Sequence, residues 1–235
     1  MLYGLDVSDD QGVVDWPKVA AAGFTFAIIK NGNGNTETDG KDADERFDAN
    51  VAGARAASLF FGAYNFCYVG LPSGPSTPAN RSPEDQAQRH WESSGGLGSN
   101  PGDLVTFADF EWPELADWAK YGVTVAGCQD WMRRYCAKLD ALTGRTTGIY
   151  TDRWWWLDVV QGDELAEFAS RPFWPAQPVA ARPVDGSAPR VWAPFTSWQV
   201  WQHSQSSIIP GIGDKVDLDV IPDDATFAML TGRSP

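Results

Sequence analysis

Short apolar runs alternate with alanine-rich or amphipathic stretches along most of this chain. The run at residues 24–30 is almost continuously apolar and rich in Phe and Ile, which is typical of a parallel strand buried on both faces. The alanine-rich stretch at residues 47–58 predicts a helix, and so does the long stretch at residues 123–142, which Gly144 follows. This alternation of strand and helix patterns predicts an α/β fold with a parallel sheet.

The same pattern predicts eight strands, at residues 3–7, 24–30, 60–69, 104–112, 146–151, 173–177, 197–203 and 216–221. Helices are predicted at residues 16–22, 47–58, 83–93 and 123–142, with an aromatic helix start at residues 153–160. Stretches rich in Gly, Asn, Pro or Ser predict loops at residues 31–44, 71–82 and 178–194. Eight strands with helices between the first five or six suggest a closed TIM-like barrel, in which the active site lies at the carboxyl ends of the strands.

The length and composition fit one compact domain over residues 1–235, with its core from about residue 3 to about residue 230. Hydrophobic residues make up 43% of the chain and charged residues 21%, as in ordinary globular proteins. No apolar run approaches the roughly 18 residues that span a bilayer. The first residues contain no basic segment followed by an apolar core, so we expect no signal peptide and synthesis in the cytoplasm.

The formal net charge of −13, from 18 basic and 31 acidic residues, argues against binding to nucleic acid or to an anionic membrane. A neutral or mixed-charge polymer such as a glycan stays open as a partner. Twelve tryptophans are an unusual number for this length. Trp fills cores and also stacks on the apolar faces of sugar rings, and both interpretations stay open for the group.

The three cysteines, Cys67, Cys128 and Cys136, are too few and too irregularly spaced for a disulfide framework, so we interpret them as small buried hydrophobic residues. His90 and His203 lie far apart in the sequence and have no cysteine beside them. The sequence therefore predicts neither a metal site nor a cofactor.

Five acids stand out because they interrupt apolar strand patterns: Asp6 at the end of the first strand, Asp109 and Glu111 in the fourth, and Asp217 and Asp219 in the eighth. A charge in such a position costs several kcal/mol unless it is hydrogen-bonded or used. Acids borne by different strands of one barrel are expected to meet at its mouth.

Asp109 and Glu111 are two residues apart, so in a strand they share one face, with carboxyl groups about 5–7 Å apart. Glycosidic cleavage needs a protonated acid and a second carboxylate, which retaining enzymes hold about 5–5.5 Å apart. Neighbouring negative charge keeps one of two such carboxyls protonated, and the longer Glu111 is the predicted acid. The alternative is that both acids only hydrogen-bond loops at a strand end, and the triplet alone does not decide between the two.

A set of motifs in a fixed order extends this interpretation from residue 3 to about residue 221. They are Gly4-Leu5-Asp6-Val7-Ser8, Gln11-Gly12, Asp15-Trp16, residues 23–30, Gly62-Ala63-Tyr64-Asn65-Phe66, Ala108-Asp109-Phe110-Glu111, Gly148-Ile149-Tyr150-Thr151, Trp174-Pro175-Ala176-Gln177, Trp201-Gln202 and residues 216–220. Together they resemble glycoside hydrolase family 25, the Chalaropsis-type lysozymes. No single motif is specific, but the combination is.

The resemblance implies a flattened barrel of five β/α units followed by three strands. It also implies hydrolysis of the β-1,4 bond between N-acetylmuramic acid and N-acetylglucosamine in the glycan strands of peptidoglycan. By position Glu111 resembles the general acid, and Asp109 resembles its partner, either as nucleophile or as the group that orients the N-acetyl group of the substrate. Asp6 and Asp217 match the remaining two acids of the family site and are expected to tune pKa values and bind hydroxyls.

Substrate-binding positions are also implied, at Tyr64, Asn65, Tyr150, Trp174, Gln177, Trp201 and Asp219. The sequence departs from the family pattern at Asp9-Asp10, where His-Trp is common, and at Asn65, where His is common. Pro175 and Pro178 are expected to interrupt the sixth strand. These departures affect the wall of the groove, whereas all four acids are retained.

Two further hypotheses remain: a barrel that binds a glycan without cutting it, and a hydrolase of another N-acetylated glycan. Retention of the four acids favours a hydrolase, because buried acids without a use are costly. A single catalytic domain, with no separate cell-wall-binding domain, resembles a phage endolysin. We expect a monomer that acts on the cell wall after release by a membrane-permeabilising partner such as a holin.

Overall fold

The computed structural model of this chain describes residues 1–33, 43–70 and 82–233. Within these residues, eight strands form one closed barrel and follow one another around it in sequence order. They are β1 Leu2–Val7, β2 Phe26–Asn33, β3 Phe60–Phe66, β4 Phe107–Asp109, β5 Gly148–Asp152, β6 Phe173–Ala176, β7 Trp201–Ser207 and β8 Val216–Ile221. Strands β1 to β7 are parallel, whereas β8 is antiparallel to both of its neighbours, β7 and β1. The predicted closed barrel is therefore confirmed, with one reversed strand.

Helices cover the first part of the barrel. The described α-helices are α1 Trp16–Ala21, α2 Phe47–Ala56, α3 Pro83–Ser93, α4 Leu115–Tyr121, α5 Val125–Thr143 and α6 Asp224–Thr231. Thr124 caps α5 by accepting a hydrogen bond from Gly127 N, and Gly144 ends it in the left-handed conformation that the sequence predicted. After β5 the chain forms a π-helical turn, Trp155–Val159, and two short 3-10 turns. The five β/α units followed by three strands are confirmed.

The first half of β2, residues 26–29, is continuously apolar because it is buried on both faces. Phe26 and Ile28 belong to the cluster inside the barrel, whereas Ala27 and Ile29 pack in the cluster beneath α1 and α2. All four side chains are fully buried, and complete burial of a large apolar side chain stabilises the fold by about 1.5–3 kcal/mol. Alternate residues of the strand thus pack in two different hydrophobic cores.

Glycines make room for the aromatic rings inside the barrel. A Cβ atom on Gly4 would lie 2.3 Å from the ring of Phe26, and one on Gly148 would lie 2.4 Å from the ring of Phe107. Neither distance is possible between carbon atoms that are not bonded. Each large ring therefore requires glycine on the neighbouring strand.

Helix α6 closes the end of the barrel where the parallel strands begin, and the sequence analysis did not predict it. Phe227 and Leu230 join the cluster inside the barrel. The Leu230 carbonyl accepts hydrogen bonds from Val105 N at 2.9 Å and from the Arg145 guanidinium at 2.7 Å. This end of the barrel is therefore closed by side chains, and the acids lie at the other end.

Several predicted boundaries are corrected. Strand β2 continues through Asn33, so the loop predicted from residue 31 begins later, and residues 34–42 lie outside the described residues. The loop predicted at residues 71–82 also lies outside them, except for Ser82, which caps α3. Pro175 does not interrupt the sixth strand: it lies within β6, paired with Thr151. Beyond the proline, pairing with β7 continues, because Gln177 N donates to Gln202 O at 3.0 Å.

The cysteine interpretation is confirmed, because Cys67, Cys128 and Cys136 are all free and buried. None of the helices in the described ranges is long and apolar enough to cross a membrane.

Candidate active site

Four carboxyl groups meet in one small cavity at the mouth of the barrel, which we call the acid cavity. Its volume is about 90 Å³. It is lined by Asp6, Tyr64, Asp109, Glu111, Tyr150, Trp174, Gln202 and Asp217. The structure thus brings together the four acids that the sequence singled out.

The reversed direction of β8 explains how Asp217 reaches this cavity. Asp6 is the next-to-last residue of β1, and its Cα partner across the antiparallel pair is Asp217, the second residue of β8. Asp217 therefore stands at the mouth because its strand begins there. Asp219, two residues further on, faces the same side one layer deeper, opposite Gly4, and is fully buried. It lies beneath the acid cavity and does not line it.

Asp109 and Glu111 face the same side, as their spacing predicts, although the regular strand β4 ends at Asp109. Between them, Phe110 is fully buried on the outer side and packs against Trp131 and Tyr135. Phe110 N still donates to Tyr150 O at 2.9 Å, which keeps the backbone extended beyond the strand. Asp109 is 4% exposed and forms part of the floor, whereas Glu111 is half-buried at the rim.

Burial raises the pKa of both members of this pair. For Glu111 the pKa rises to about 7, first because of burial and then because of the nearby charge of Asp152. The pKa of Asp109 is raised well above its usual range by burial and by the charge of Glu111. The ammonium group of Lys30 acts in the opposite direction on both. Near neutral pH the pair therefore holds a proton, which belongs to both groups.

A second pair of carboxyls faces the first. Burial, followed by the charge of Asp217, raises the pKa of Asp6 to about 8, and burial raises the pKa of Asp217 to about 6. The Gln202 amide nitrogen donates to Asp6 Oδ2 at 2.9 Å and to Asp217 Oδ2 at 3.1 Å. Such donation favours the charged form of a carboxylate and partly offsets the effect of burial on Asp6.

Asp219 supports the site from below. Trp174 Nε1 donates to Asp219 Oδ1 at 2.7 Å, and this bond fixes the indole that lines the acid cavity. Burial, followed by the charge of Asp6, raises the pKa of Asp219 well above its usual range. Asp219 therefore keeps its proton to higher pH than an ordinary carboxyl, and a carboxyl that holds a proton can donate to a neighbour such as Asp6.

The predicted substrate-binding residues separate into two groups. Tyr64, Tyr150 and Trp174 line the acid cavity. Asn65, Gln177, Trp201 and the deeper Asp219 do not line it, and their part in binding substrate stays a prediction. The residues before Asn65 and after Trp201, Tyr64 and Gln202, face inward, so alternation along each strand turns Asn65 and Trp201 to the outer side.

The three outward-facing side chains have structural partners instead. Trp201 Nε1 donates to Gln177 O at 2.8 Å, and Gln177 Oε1 accepts from Arg190 N at 2.8 Å. Asn65 Nδ2 donates to Phe66 O and lies 3.9 Å from Cys67 Sγ. These contacts fasten strands and loops around the site.

Three residues that influence the acids were not predicted as site residues: Lys30, Asp152 and Gln202. Asp152 is the last residue of β5, so the rule that singled out the other strand-end acids applies to it as well. Its carboxylate also accepts a hydrogen bond from Trp155 N at 2.8 Å, which starts the turn after β5. Lys30 and Gln202 lie inside the motifs that carry the family resemblance, but nothing in the sequence distinguishes them from other polar strand residues.

The acid cavity continues into a larger polar cleft of about 330 Å³ that shares Asp6, Tyr64 and Asp217 with it. The remaining residues of this cleft are Ser8, Asp10, Gln11, Gln205, Asp214 and Lys215. Asp10 is one of the two positions at which the sequence departs from the family pattern. A cavity of about 410 Å³ lies at the other end of the barrel, around Arg145 and Arg171, and no carboxylate lines it.

A barrel mouth with one carboxylic acid held protonated near neutral pH, and further carboxylates beside it, is the arrangement that glycosidic cleavage requires. Fold and site thus define a barrel enzyme of the glycoside hydrolase class. The model of the family described as Glycosyl hydrolases family 25 matches residues 5–212. The chain belongs to this family and is therefore a glycoside hydrolase.

Individual relatives agree with the family assignment. Lysozyme M1 of Streptomyces globisporus is 31% identical over 92% of this chain, which spans 66% of the length of that protein. The N,O-diacetylmuramidase of Chalaropsis sp is 27% identical, with 84% of this chain and 87% of that protein aligned. Among solved structures, the bacterial lysozyme from Streptomyces coelicolor is 28% identical and superposes with a TM-score of 0.81 over 99% of this chain and 98% of its own.

Proposed function

We propose that this protein is a muramidase that hydrolyses the β-1,4 bond between N-acetylmuramic acid and N-acetylglucosamine in peptidoglycan. The observation that carries the proposal is the acid cavity, with Glu111 at its rim and Asp109 in its floor. The substrate class is supported by the similar proteins, which are named as lysozymes and an N,O-diacetylmuramidase.

Glu111 is the proposed general acid because it alone combines a raised pKa of about 7 with partial exposure beside Asp109. At pH values below about 7 it holds a proton that it can give to the glycosidic oxygen. When Glu111 is protonated, its charge no longer raises the pKa of Asp109, and Lys30 favours the ionised form of Asp109 against the effect of burial. The proposed reactive state has Glu111 neutral and Asp109 charged.

In that state Glu111 donates its proton to the leaving oxygen while the bond from this oxygen to C1 breaks. The positive charge on C1 is stabilised by the Asp109 carboxylate, or by the carbonyl oxygen of the substrate N-acetyl group that Asp109 orients. Water then supplies the hydroxyl to C1 and returns a proton to Glu111. Asp6 and Asp217 lie where sugar hydroxyls enter from the polar cleft, and Tyr64, Tyr150 and Trp174 form the walls.

The identity of the new reducing end tests this proposal. Purified cell walls are digested, the products are reduced with borohydride, and the reduced sugar is identified by mass spectrometry. A muramidase leaves N-acetylmuramic acid at the reducing end. Reducing ends of N-acetylglucosamine, or faster cleavage of chitin oligomers than of peptidoglycan, would assign a different N-acetylated bond.

If the wild type binds cell walls but releases no cleavage products, the protein is a glycan-binding barrel and not a hydrolase. Glu111→Gln is the inactive protein with which the wild type is compared. Glu164→Gln provides the matched control, because Glu164 is an exposed glutamate in a short 3-10 turn that does not line the acid cavity. The proposal predicts that Glu164→Gln yields the same products as the wild type at the same rate.

A further inference from the structure

The amide group of Gln202 lies at the centre of the acid cavity and is 2% exposed. Its nitrogen donates one hydrogen bond to Asp6 Oδ2 and one to Asp217 Oδ2. Its oxygen accepts from the Tyr150 hydroxyl at 2.9 Å and from Gln205 Nε2 at 3.1 Å. An amide has two N–H donors and two acceptor positions, so every hydrogen-bonding position of Gln202 is occupied.

The hydrogen bond from Tyr150 fixes the orientation of this amide. The hydroxyl donates to Oε1, which leaves both N–H groups of Nε2 directed at the two carboxyls. A flipped amide would direct its oxygen at two acids and its nitrogen at two donors. Tyr150 on β5 thus ensures that Gln202 on β7 directs its N–H groups, and not its carbonyl oxygen, at Asp6 on β1 and Asp217 on β8.

The two carboxyls that Gln202 joins are direct neighbours. Asp6 and Asp217 are Cα partners in the antiparallel pair of β1 and β8, and we call them the aspartate pair. Carboxylates this close repel each other when both are charged. Two N–H donors, one to each carboxyl, suit a single charge as well as two, because a carboxylate oxygen accepts in either case.

The aspartate pair is surrounded by other ionisable groups. They are Asp219 on β8, Asp109 and Glu111 at the end of β4, Tyr64 on β3, Tyr150 on β5, and Lys30 on β2, which acts on Asp109 and Glu111. The charge of Asp217 in turn raises the pKa of Glu111. The ionisation state of the aspartate pair therefore affects the pKa of Glu111, the proposed general acid.

We propose that Gln202 is a positioning residue that holds Asp6 and Asp217 at a fixed separation and favours the charged form of each carboxyl. It touches no reacting atom in this scheme and acts through the two aspartates. This inference rests on the proposed function for its catalytic consequence, whereas its effect on the aspartate pair is independent of any substrate.

The direct test is a carboxyl ¹³C NMR titration of Asp6 and Asp217, assigned by single Asn substitutions, in the wild type and in Gln202→Met. Methionine fills the space without donating, so the carboxyls of the variant lose both hydrogen bonds while burial and the neighbouring charges still act on them. Loss of the two donors is expected to move the titration midpoints upward by about one to two pH units. Unchanged midpoints in a folded Gln202→Met protein would overturn the proposal.

Two further variants make the result specific. Gln202→Glu keeps the length of the side chain, but its neutral carboxyl donates one O–H where the amide donates two N–H groups, so at least one midpoint moves upward. This variant decides the question if Gln202→Met does not fold. Gln205→Met removes a hydrogen bond to Oε1 but leaves both bonds to the aspartates, and both midpoints stay within a few tenths of a pH unit. An equal shift in Gln205→Met and Gln202→Met would overturn the proposal.

Kinetics then connect the aspartate pair to the reaction. In Gln202→Met, the acid-side limb of the plot of kcat/KM against pH moves to higher pH. The reason is that the aspartate pair gains its protons at a higher pH when the two N–H donors are absent. A rate that falls equally at every pH, with both limbs in place, would show a merely structural role. If the wild type releases no muropeptides, the proposed function fails, while the titration still decides whether Gln202 favours the charged form of each carboxyl.

Discussion

Replacing Glu111 by glutamine is expected to stabilise the folded protein above neutral pH while removing its activity. Folding raises the pKa of Glu111 from 4.5 to about 7, chiefly by burial. As the pH rises, the unfolded chain therefore releases this proton before the folded chain does. The contribution of Glu111 to the stability of the fold is complete below about pH 4.5 and is lost as the pH rises through about 7.

The size of this loss follows from the pKa difference. One pH unit corresponds to about 1.36 kcal/mol, so ionising Glu111 in the folded state costs up to about 3 kcal/mol above pH 7. Glutamine has nearly the same shape and cannot ionise. The gain in stability on replacing Glu111 by Gln, taken as the free energy of unfolding of the variant minus that of the wild type, should therefore be larger at pH 8 than at pH 4. The difference should be up to about 3 kcal/mol. For a chain of this size, that corresponds to a further gain in Tm of roughly 6–12 °C.

Urea unfolding at pH 4 and pH 8, followed by tryptophan fluorescence, measures this difference. Glu164→Gln is the control, because this exposed glutamate does not line the acid cavity. A Glu111→Gln protein whose stability relative to the wild type does not depend on pH would refute the reasoning. It would mean that Glu111 is as easily ionised in the cavity as in water.

Four other predictions follow from the same contacts. Hydrolysis by the wild type should fall as the pH rises through about 7, where Glu111 loses its proton, and a rate that is flat from pH 4 to 9 would contradict the assignment. Asp109→Asn should lower kcat on the order of 10²–10⁴-fold with a small change in KM, measured as release of reducing ends. Trp174→Phe removes the donor to Asp219 and should lower kcat while the near-UV circular dichroism of the remaining core is retained. Gly148→Ala should destabilise the fold by about 1–3 kcal/mol in thermal unfolding, because its Cβ would meet the Phe107 ring, whereas Gly213→Ala, where a Cβ meets nothing within 4 Å, should not.

The barrel was predictable because burial on two sides leaves a clear pattern in a strand. In the first half of β2, residues 26–29, every residue is apolar and packs in one of two cores, so this stretch indicates a buried parallel strand without further information. The acids were predictable for the complementary reason: Asp6, Asp109 and Asp217 interrupt such patterns, where an unused charge is costly.

The direction of β8 was missed because the predicted seventh strand ends too early. The predicted strands at residues 197–203 and 216–221 leave residues 204–215 between them, about the dozen that a parallel crossover needs. In the structure β7 continues to Ser207, so only residues 208–215 join β7 to β8, and this is too short for a parallel crossover. The longer connection of residues 177–200 joins β6 to β7, which are parallel.

The orientation of β7 depends on information that the sequence does not contain. Trp201 and Gln202 are both buried, so polarity does not indicate which of them faces the acid cavity. The register is set by the partners across the barrel: Tyr150 donates to the Gln202 amide, and the aspartate pair accepts from it. From the sequence Trp201 was therefore named as a site residue, and Gln202 was not.

The central claim is that Glu111 gives the proton that breaks the glycosidic bond. The most direct measurement is the rate at which soluble muropeptides are released from purified cell walls, at pH 5 to 6, by the wild type and by folded Glu111→Gln. The account predicts that the substitution lowers this rate on the order of 10²–10⁴-fold, while binding to the walls is retained. Equal release by the two proteins would contradict it.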